Sequence, residues 1–170
     1  APHLDATLAM IREIARAEGL RFRMASIRAD MDRGMLRAAN AEGRIVSFDG
    51  MPALADADID GASQIVAQMG MGPFRRALAA DVDVIVAGRA CDTAIFASLP
   101  SMLGFPTGLC VHMAKIVECA SLCCVPGGRD AILAELDETG FVLESMNPER
   151  RATPVSVAAH SLYEQSDPFT

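Results

Sequence analysis

The chain has 170 residues, 51% of them hydrophobic, with 15 basic against 22 acidic side chains and a formal net charge of −7. That length and apolar content suffice for a domain with a real core, and the absence of a basic cluster argues against nucleic-acid binding; Arg75-Arg76 and Arg150-Arg151 are isolated pairs. The longest apolar stretch, 108–125, holds His112, Lys115 and Glu118, which are costly in lipid, so the reading is a cytoplasmic chain with no membrane span.

Leu4, Leu8, Ile11, Ile14 and Ala15 recur at helical spacing, and Gly19 is placed to stop that helix. Residues 22–27 read as a short strand, 30–42 as a more polar helix closed by Gly43, and 44–48 as a possible strand before the turn Asp49-Gly50-Met51-Pro52. Helices over 59–69 and 73–80 flank Gly70-Met71-Gly72, with Pro73 suited to a first helical turn. The run 82–87 is the clearest strand, β-branched and almost continuously apolar, as a parallel strand covered on both faces should be. A helix follows from Cys91 to Leu99, Pro100 breaks the pattern, and Gly104-Phe105-Pro106 forms a hinge. Residues 108–124 predict one long apolar helix, followed by the loop Pro126-Gly127-Gly128. The period then changes: 130–136 and 141–145, joined by Asp137-Glu138-Thr139-Gly140, read as a β-hairpin. A Pro-bounded loop over 147–154 leads to a final short segment, 155–164. The fold class is α/β: a layered, mostly parallel sheet flanked by helices, with a late antiparallel β-hairpin, in a single unit over 1–170.

Five cysteines occur, Cys91, Cys110, Cys119, Cys123 and Cys124. None shows CxxC spacing, their number is odd, and four fall in the expected long helix, which argues against a disulfide framework and a zinc site. Reduced thiols packed as small hydrophobes, in a reducing compartment, are the expectation. Mean hydropathy of +0.26 is high for a chain with 22% charged residues, so part of the apolar surface is expected to be covered by missing chain or by another subunit. The ends, Ala1-Pro2 and Asp167-Pro168-Phe169-Thr170, fit an internal piece of a longer protein.

Two stretches carry candidate chemistry. The first is Gly88-Arg89-Ala90-Cys91-Asp92-Thr93-Ala94, a loop leaving the carboxyl end of a strand and entering a helix N-terminus, a place where anions collect. Gly88 allows close backbone approach, Arg89 offers a fork for a carboxylate or phosphate, and Asp92 is a base or an orienter of the Arg. The competing reading makes Asp92 or Thr93 a helix N-cap. The second stretch is His112, Lys115 and Glu118, three ionisable groups in an otherwise apolar helix, which must be paired or face a cavity. A solvated edge with an ordinary Lys115–Glu118 pair is the plainer alternative. HxxK is no metal motif, and a third ligand is missing. Pro126-Gly127-Gly128-Arg129 lacks the P-loop and dinucleotide patterns and reads as a turn. His160, Tyr163 and Glu164 stand at spacings that suit a small polar cluster or a capping role.

At Val84-Ile85-Val86-Ala87-Gly88-Arg89-Ala90-Cys91-Asp92-Thr93-Ala94 the chain resembles the acyclic terpene utilisation (AtuA-like) family. The stretch from His112 to Cys119, Asn147-Pro148 with Arg150-Arg151, and the stretch from Val157 to Glu164 agree. The resemblance implies a several-hundred-residue parent and a role in bacterial catabolism of acyclic terpenes and related organic acids, whose intermediates are often coenzyme A thioesters. It transfers motif positions, Gly88, Arg89, Asp92, His112, Glu118 and Cys119, without assigning a reaction. The expectation that follows is an enzyme acting on a carboxylate or acyl-CoA by lyase, hydratase or isomerase chemistry, with no cofactor evident and the CoA thioester as substrate. Asp92, His112 and Glu118 are the expected catalytic groups; Gly88, Arg89, Thr93 and Lys115 are the expected substrate contacts. Expected partners are the remainder of its own chain and a second copy or a companion subunit. The alternative is a non-catalytic subunit supporting a neighbouring catabolic enzyme.

Overall fold

The computed structural model describes residues 3–162. They gather into two compact units, one built from the chain up to Met69 with Asp81–Ala90, the other from Gly70–Ala80 with the chain from Cys91 onward.

In the first unit, helix α1 (Leu4–Ala17) buries Leu4 and Leu8. It ends as its sequence predicts: Gly19 takes φ +66°, and the Leu20 amide donates to the Ala15 carbonyl at 2.8 Å, satisfying a terminal acceptor. Strands β1 (Met24–Ile27) and β2 (Val84–Ala87) pair in parallel, in register from Met24↔Val84 to Ile27↔Ala87. The α/β class is therefore present, and the parallel sheet appears in part: it has two strands among the described residues, and all four residues of β2 are half-buried. Helix α2 (Arg33–Ala41) starts on Asp32, whose carboxylate accepts from the Met35 amide at 2.8 Å. Helix α3 (Asp56–Gly61) packs on α2 and buries Ile59 completely.

Two expectations fail in this unit. The stretch 44–48 forms no strand, and Val46 and Phe48, 86% and 88% exposed, have no face to pack on. The helix expected over 59–69 stops at Gly61. Beyond it, backbone bonds take over: Met31 donates to Ile65, Ala67 to Ala29 and Met69 to Arg89, tying the segment to the chain that continues past both strands. Tertiary hydrogen bonding outcompetes the local helical period there.

In the second unit, α4 (Met71–Ala79) carries Pro73 in its first turn, as expected. Helix α5 (Asp92–Met102) runs through Pro100 where the sequence reading ends it; so near the C-terminal end the ring removes only one backbone donor. Helix α6 (Thr107–Val117) packs on α5 through small buried residues, Ala94, Ala97, Ser98, Cys110 and Ala114, which let the two helices approach closely. It is shorter than the expected 108–124 helix. Glu118 is its C-cap, Ala120 adopts φ +52°, and a 3-10 turn (Ala120–Cys123) leads into β3 (Cys124–Val125).

The cysteines consequently do not share one helix. Cys110 lies in α6, Cys123 in the 3-10 turn and Cys124 in β3, all three buried, with Cys119 between. Burial pushes the Cys110 thiol up, and burial beside Cys124 pushes Cys123 up to about 11, consistent with inert packed thiols. The hairpin forms as read: β4 (Ile132–Leu136) and β5 (Phe141–Ser145) pair antiparallel, and the Asp137 carboxylate accepts from the amides of Thr139 and Gly140 at 2.6 and 2.8 Å. Strand β6 (Arg151–Ala152) pairs with β3, and α7 (Pro154–Leu162) closes the described chain. Of the His160 cluster, Tyr163 and Glu164 lie outside the described residues.

Among the described residues this unit's core gathers Ala97, Cys110 and Ala114 against Phe105 and Leu136, and Ile116, Cys123 and Cys124 against Phe141 and Val157. Helix α6 contributes to both. Among the described residues no helix is long and apolar enough to cross a membrane.

Candidate functional site

Glu118 stands just past the last turn of α6, where unpaired carbonyls disfavour a negative charge. Only 10% of its side chain is exposed. A carboxylate so placed needs partners, and it has one on each oxygen. Lys115 Nζ donates to Oε1 at 2.7 Å, and the Thr93 hydroxyl donates to Oε2. Thr93 belongs to the first turn of α5, so the packing of α5 on α6 brings both sequence motifs onto one carboxylate. Lys115, 33% exposed, is more open to solvent than the carboxylate it pairs with. The plain ion pair exists, but its carboxylate end is buried instead of lying on a solvated edge.

The capping reading of the loop does not hold. Cys91 occupies the N-cap of α5, no side chain caps that terminus, and the Thr93 hydroxyl is spent on Glu118. Asp92 is exposed in the first turn, where the helix dipole favours an acid. His112 is exposed on α6 and stands edge-on to Phe141, with ring centroids 5.2 Å apart at 85°. No hydrogen bond joins it to Glu118 among the described residues.

Gly88 and Arg89 fall in the first unit. A Cβ at Gly88 would lie 2.8 Å from the Ala29 Cβ and 2.9 Å from its backbone nitrogen, so this glycine lets the chain past β1 and β2 close up. Its own amide donates to the Ile27 carbonyl at 2.8 Å. Arg89 is exposed and forms no ion pair among the described residues.

A second polar network lies beyond what residue types and spacing reveal. The Arg150 guanidinium donates to the Asp130 carboxylate and to the carbonyls of Pro126 and Gly127, at 2.7 and 2.6 Å. Asn147 donates to the same carboxylate at 3.1 Å, and the fully buried Ser121 hydroxyl accepts from the Asp130 amide at 2.8 Å. Any side chain at Gly128 would collide with that guanidinium. The Arg150 ion pair, then Asn147, hold the Asp130 carboxyl below the usual carboxylate range. The glycine loop is thus a seat for Arg150, a turn as expected, and Arg150 and Asn147 surface in the sequence only through the family resemblance. Among the described residues no group of three His, Cys, Asp or Glu side chains is placed to hold a metal ion.

The family model described as acyclic terpene utilisation family protein AtuA covers residues 4–103, including β2, the Gly88–Ala94 loop and α5. No curated protein and no solved structure matches the chain significantly. With more than half its length matched, the chain belongs to the acyclic terpene utilisation family, whose name assigns it a role in the use of acyclic terpenes.

Proposed function

We propose that the protein is a catabolic enzyme that acts on a terpenoid or related carboxylate, or its CoA thioester, by proton transfer beside the carbonyl, in lyase, hydratase or isomerase chemistry. The observation that carries this reading is the Glu118 carboxylate, nine-tenths buried between Lys115 and Thr93. A desolvated carboxylate beside an ammonium suits acid–base work, because the carboxylate takes a proton while the ammonium steadies the oxyanion that forms. In this reading Thr93 orients Glu118 and Lys115 meets the substrate's carbonyl. Asp92 and His112 are further proton carriers, and Gly88 and Arg89, which belong to the first unit, form an anion-binding loop by themselves.

A thermal-shift screen of the whole protein against organic acids and their CoA thioesters tests it, since a ligand that binds only the native state raises its melting temperature. The expected result is stabilisation by one substrate class, with turnover abolished in Glu118→Gln while stabilisation persists. Full turnover in Glu118→Gln and Lys115→Met would remove the trio from the chemistry.

One observation favours a second reading, a non-catalytic subunit of a neighbouring enzyme. No charged residue or His lies between Thr93 and Val111, and α5 with the residue after it exposes Ile95, Phe96, Leu99, Met102 and Leu103, a stripe of the kind that partners cover. Activity found only in a copurifying protein, and unchanged by Glu118→Gln, is the outcome that selects this reading.

A further inference from the structure

Arg12, Arg16 and Arg21 look unrelated along the chain, yet all three line one open cavity of about 430 Å³ in the first unit, with Leu20 and Phe22. Arg12 and Arg16 share a face of α1 at i,i+4 spacing, and the turn at Gly19 brings Arg21 to the same cavity. None of the three forms an ion pair among the described residues, and no carboxylate lines the cavity. In a chain with 22 acidic side chains and a net charge of −7, three guanidiniums left together without a counter-charge repel one another. An anion from outside relieves that repulsion. Beside them lies a second cavity of about 360 Å³ lined by apolar residues, Ile11, Ile14, Ala15, Leu20, Phe22 and Val84. Ala15, Leu20 and Phe22 line both, so the charged and the oily surfaces are continuous.

We propose that the Arg12–Arg16–Arg21 cavity and the adjoining Ile11–Ile14–Phe22 floor form a binding site for an anionic amphiphile, a hydrocarbon chain ending in a carboxylate or phosphate. The head group sits among the guanidiniums and the chain lies on the apolar floor. The site shares no residue with the Glu118 trio and does not rest on the enzyme reading.

The test is calorimetric titration of the whole protein with decanoate and decyl phosphate, each below its micelle threshold, beside decan-1-ol and acetate. One or both anionic amphiphiles bind, and the tighter one assigns the head group. Decanol, which lacks the charge, and acetate, which lacks the chain, bind at least about tenfold more weakly. Arg12→Gln/Arg16→Gln weakens the amphiphile about tenfold or more, whereas Glu118→Gln leaves it unchanged. The three arginines are exposed, so the double variant keeps its wild-type melting curve in the absence of ligand; if it does not, Arg21→Gln alone carries the test. Absence of binding by both anionic amphiphiles overturns the proposal, as does equal binding of decanol or affinity untouched by arginine replacement. Heat that disappears in Glu118→Gln but survives in the arginine variants assigns the amphiphile elsewhere and also overturns it. Arginine-dependent sedimentation with phosphatidylglycerol vesicles, without binding of the monomeric probes, identifies a membrane surface instead and overturns it equally.

Discussion

The two units handle charge in opposite ways. In the first, ion pairs lie on the surface: Arg23 with Asp81 and Asp83, Arg28 with Asp5, and Arg37 with Asp60 all have side chains at least 43% exposed. In the second, Glu118 and the Asp130–Arg150 pair are drawn into seams between elements and stitched to backbone or hydroxyl groups. The apolar parts differ as well: in the first unit the paired strands are mostly half-buried while Ile59 is fully buried, and in the second fully buried residues gather in clusters. The lesson is that the second unit's geometry is fixed by packing and by charges that must be satisfied in place. The first unit makes its ion pairs at the surface and leaves Arg12, Arg16 and Arg21 around a cavity that no carboxylate lines.

That contrast can be broken most directly at Ile116, which is completely buried in the second unit's core. Ile116→Ala is expected to cost about 3 kcal/mol, transfer plus cavity, read as a drop in the urea midpoint. In the first unit, Gly88→Ala adds a methyl that meets backbone as well as side-chain atoms of Ala29. Prying those segments apart is expected to cost about 2 kcal/mol. A Gly88→Ala variant with wild-type stability would show that the first unit yields more easily than the close approach implies. The charge seam ranks with it. Lys115→Met leaves a carboxylate that is 10% exposed without its ammonium but still held by the Thr93 hydroxyl, at about 2 kcal/mol, less than for a wholly buried pair because Lys115 itself is 33% exposed. Adding Glu118→Gln should recover much of the loss, and a double-mutant cycle measures how much.

Much of the first-order architecture was legible because it rests on local chemistry. Gly19 needed a positive φ, Asp137 and Gly140 wrote their own turn, and the apolar run at 84–87 could only be a strand. Errors fell where distant groups decide. The helical period over 59–69 loses to backbone acceptors on Ala29 and Arg89, and the apolar run after Val117 turns away from helix because Cys123 and Cys124 have a β-hairpin to pack against. The site was half legible. Lys115 and Glu118 signalled themselves as charges in an apolar helix, but Thr93 as the second partner depends on how closely α5 and α6 approach, which no spacing rule encodes. The Arg12–Arg16–Arg21 convergence depends likewise on the turn after α1.

The finest test of the contrast is the pH profile of one ion pair from each unit. Asp130 and Asp83 both have carboxyls held below the usual range, for different reasons. Arg150 is the first cause for Asp130, whereas for Asp83 it is the backbone amide of Arg23, with the Arg23 side chain second. A carboxyl whose folded pKa is depressed contributes stability that is present above its unfolded pKa, about 3.9, and fades as pH falls through the folded value. Arg150→Gln should therefore lower the melting temperature at neutral pH, and its gap from wild type should narrow as the solution is acidified below that range, leaving the part due to the bonds to the Pro126 and Gly127 carbonyls. Arg23→Gln keeps the backbone amide and loses only exposed contacts, which are worth little, so its melting curve should track wild type at every pH. Equal losses in the two variants at neutral pH would mean that surface and seam pairs count alike, and that burial is not what gives the second unit's charges their structural role.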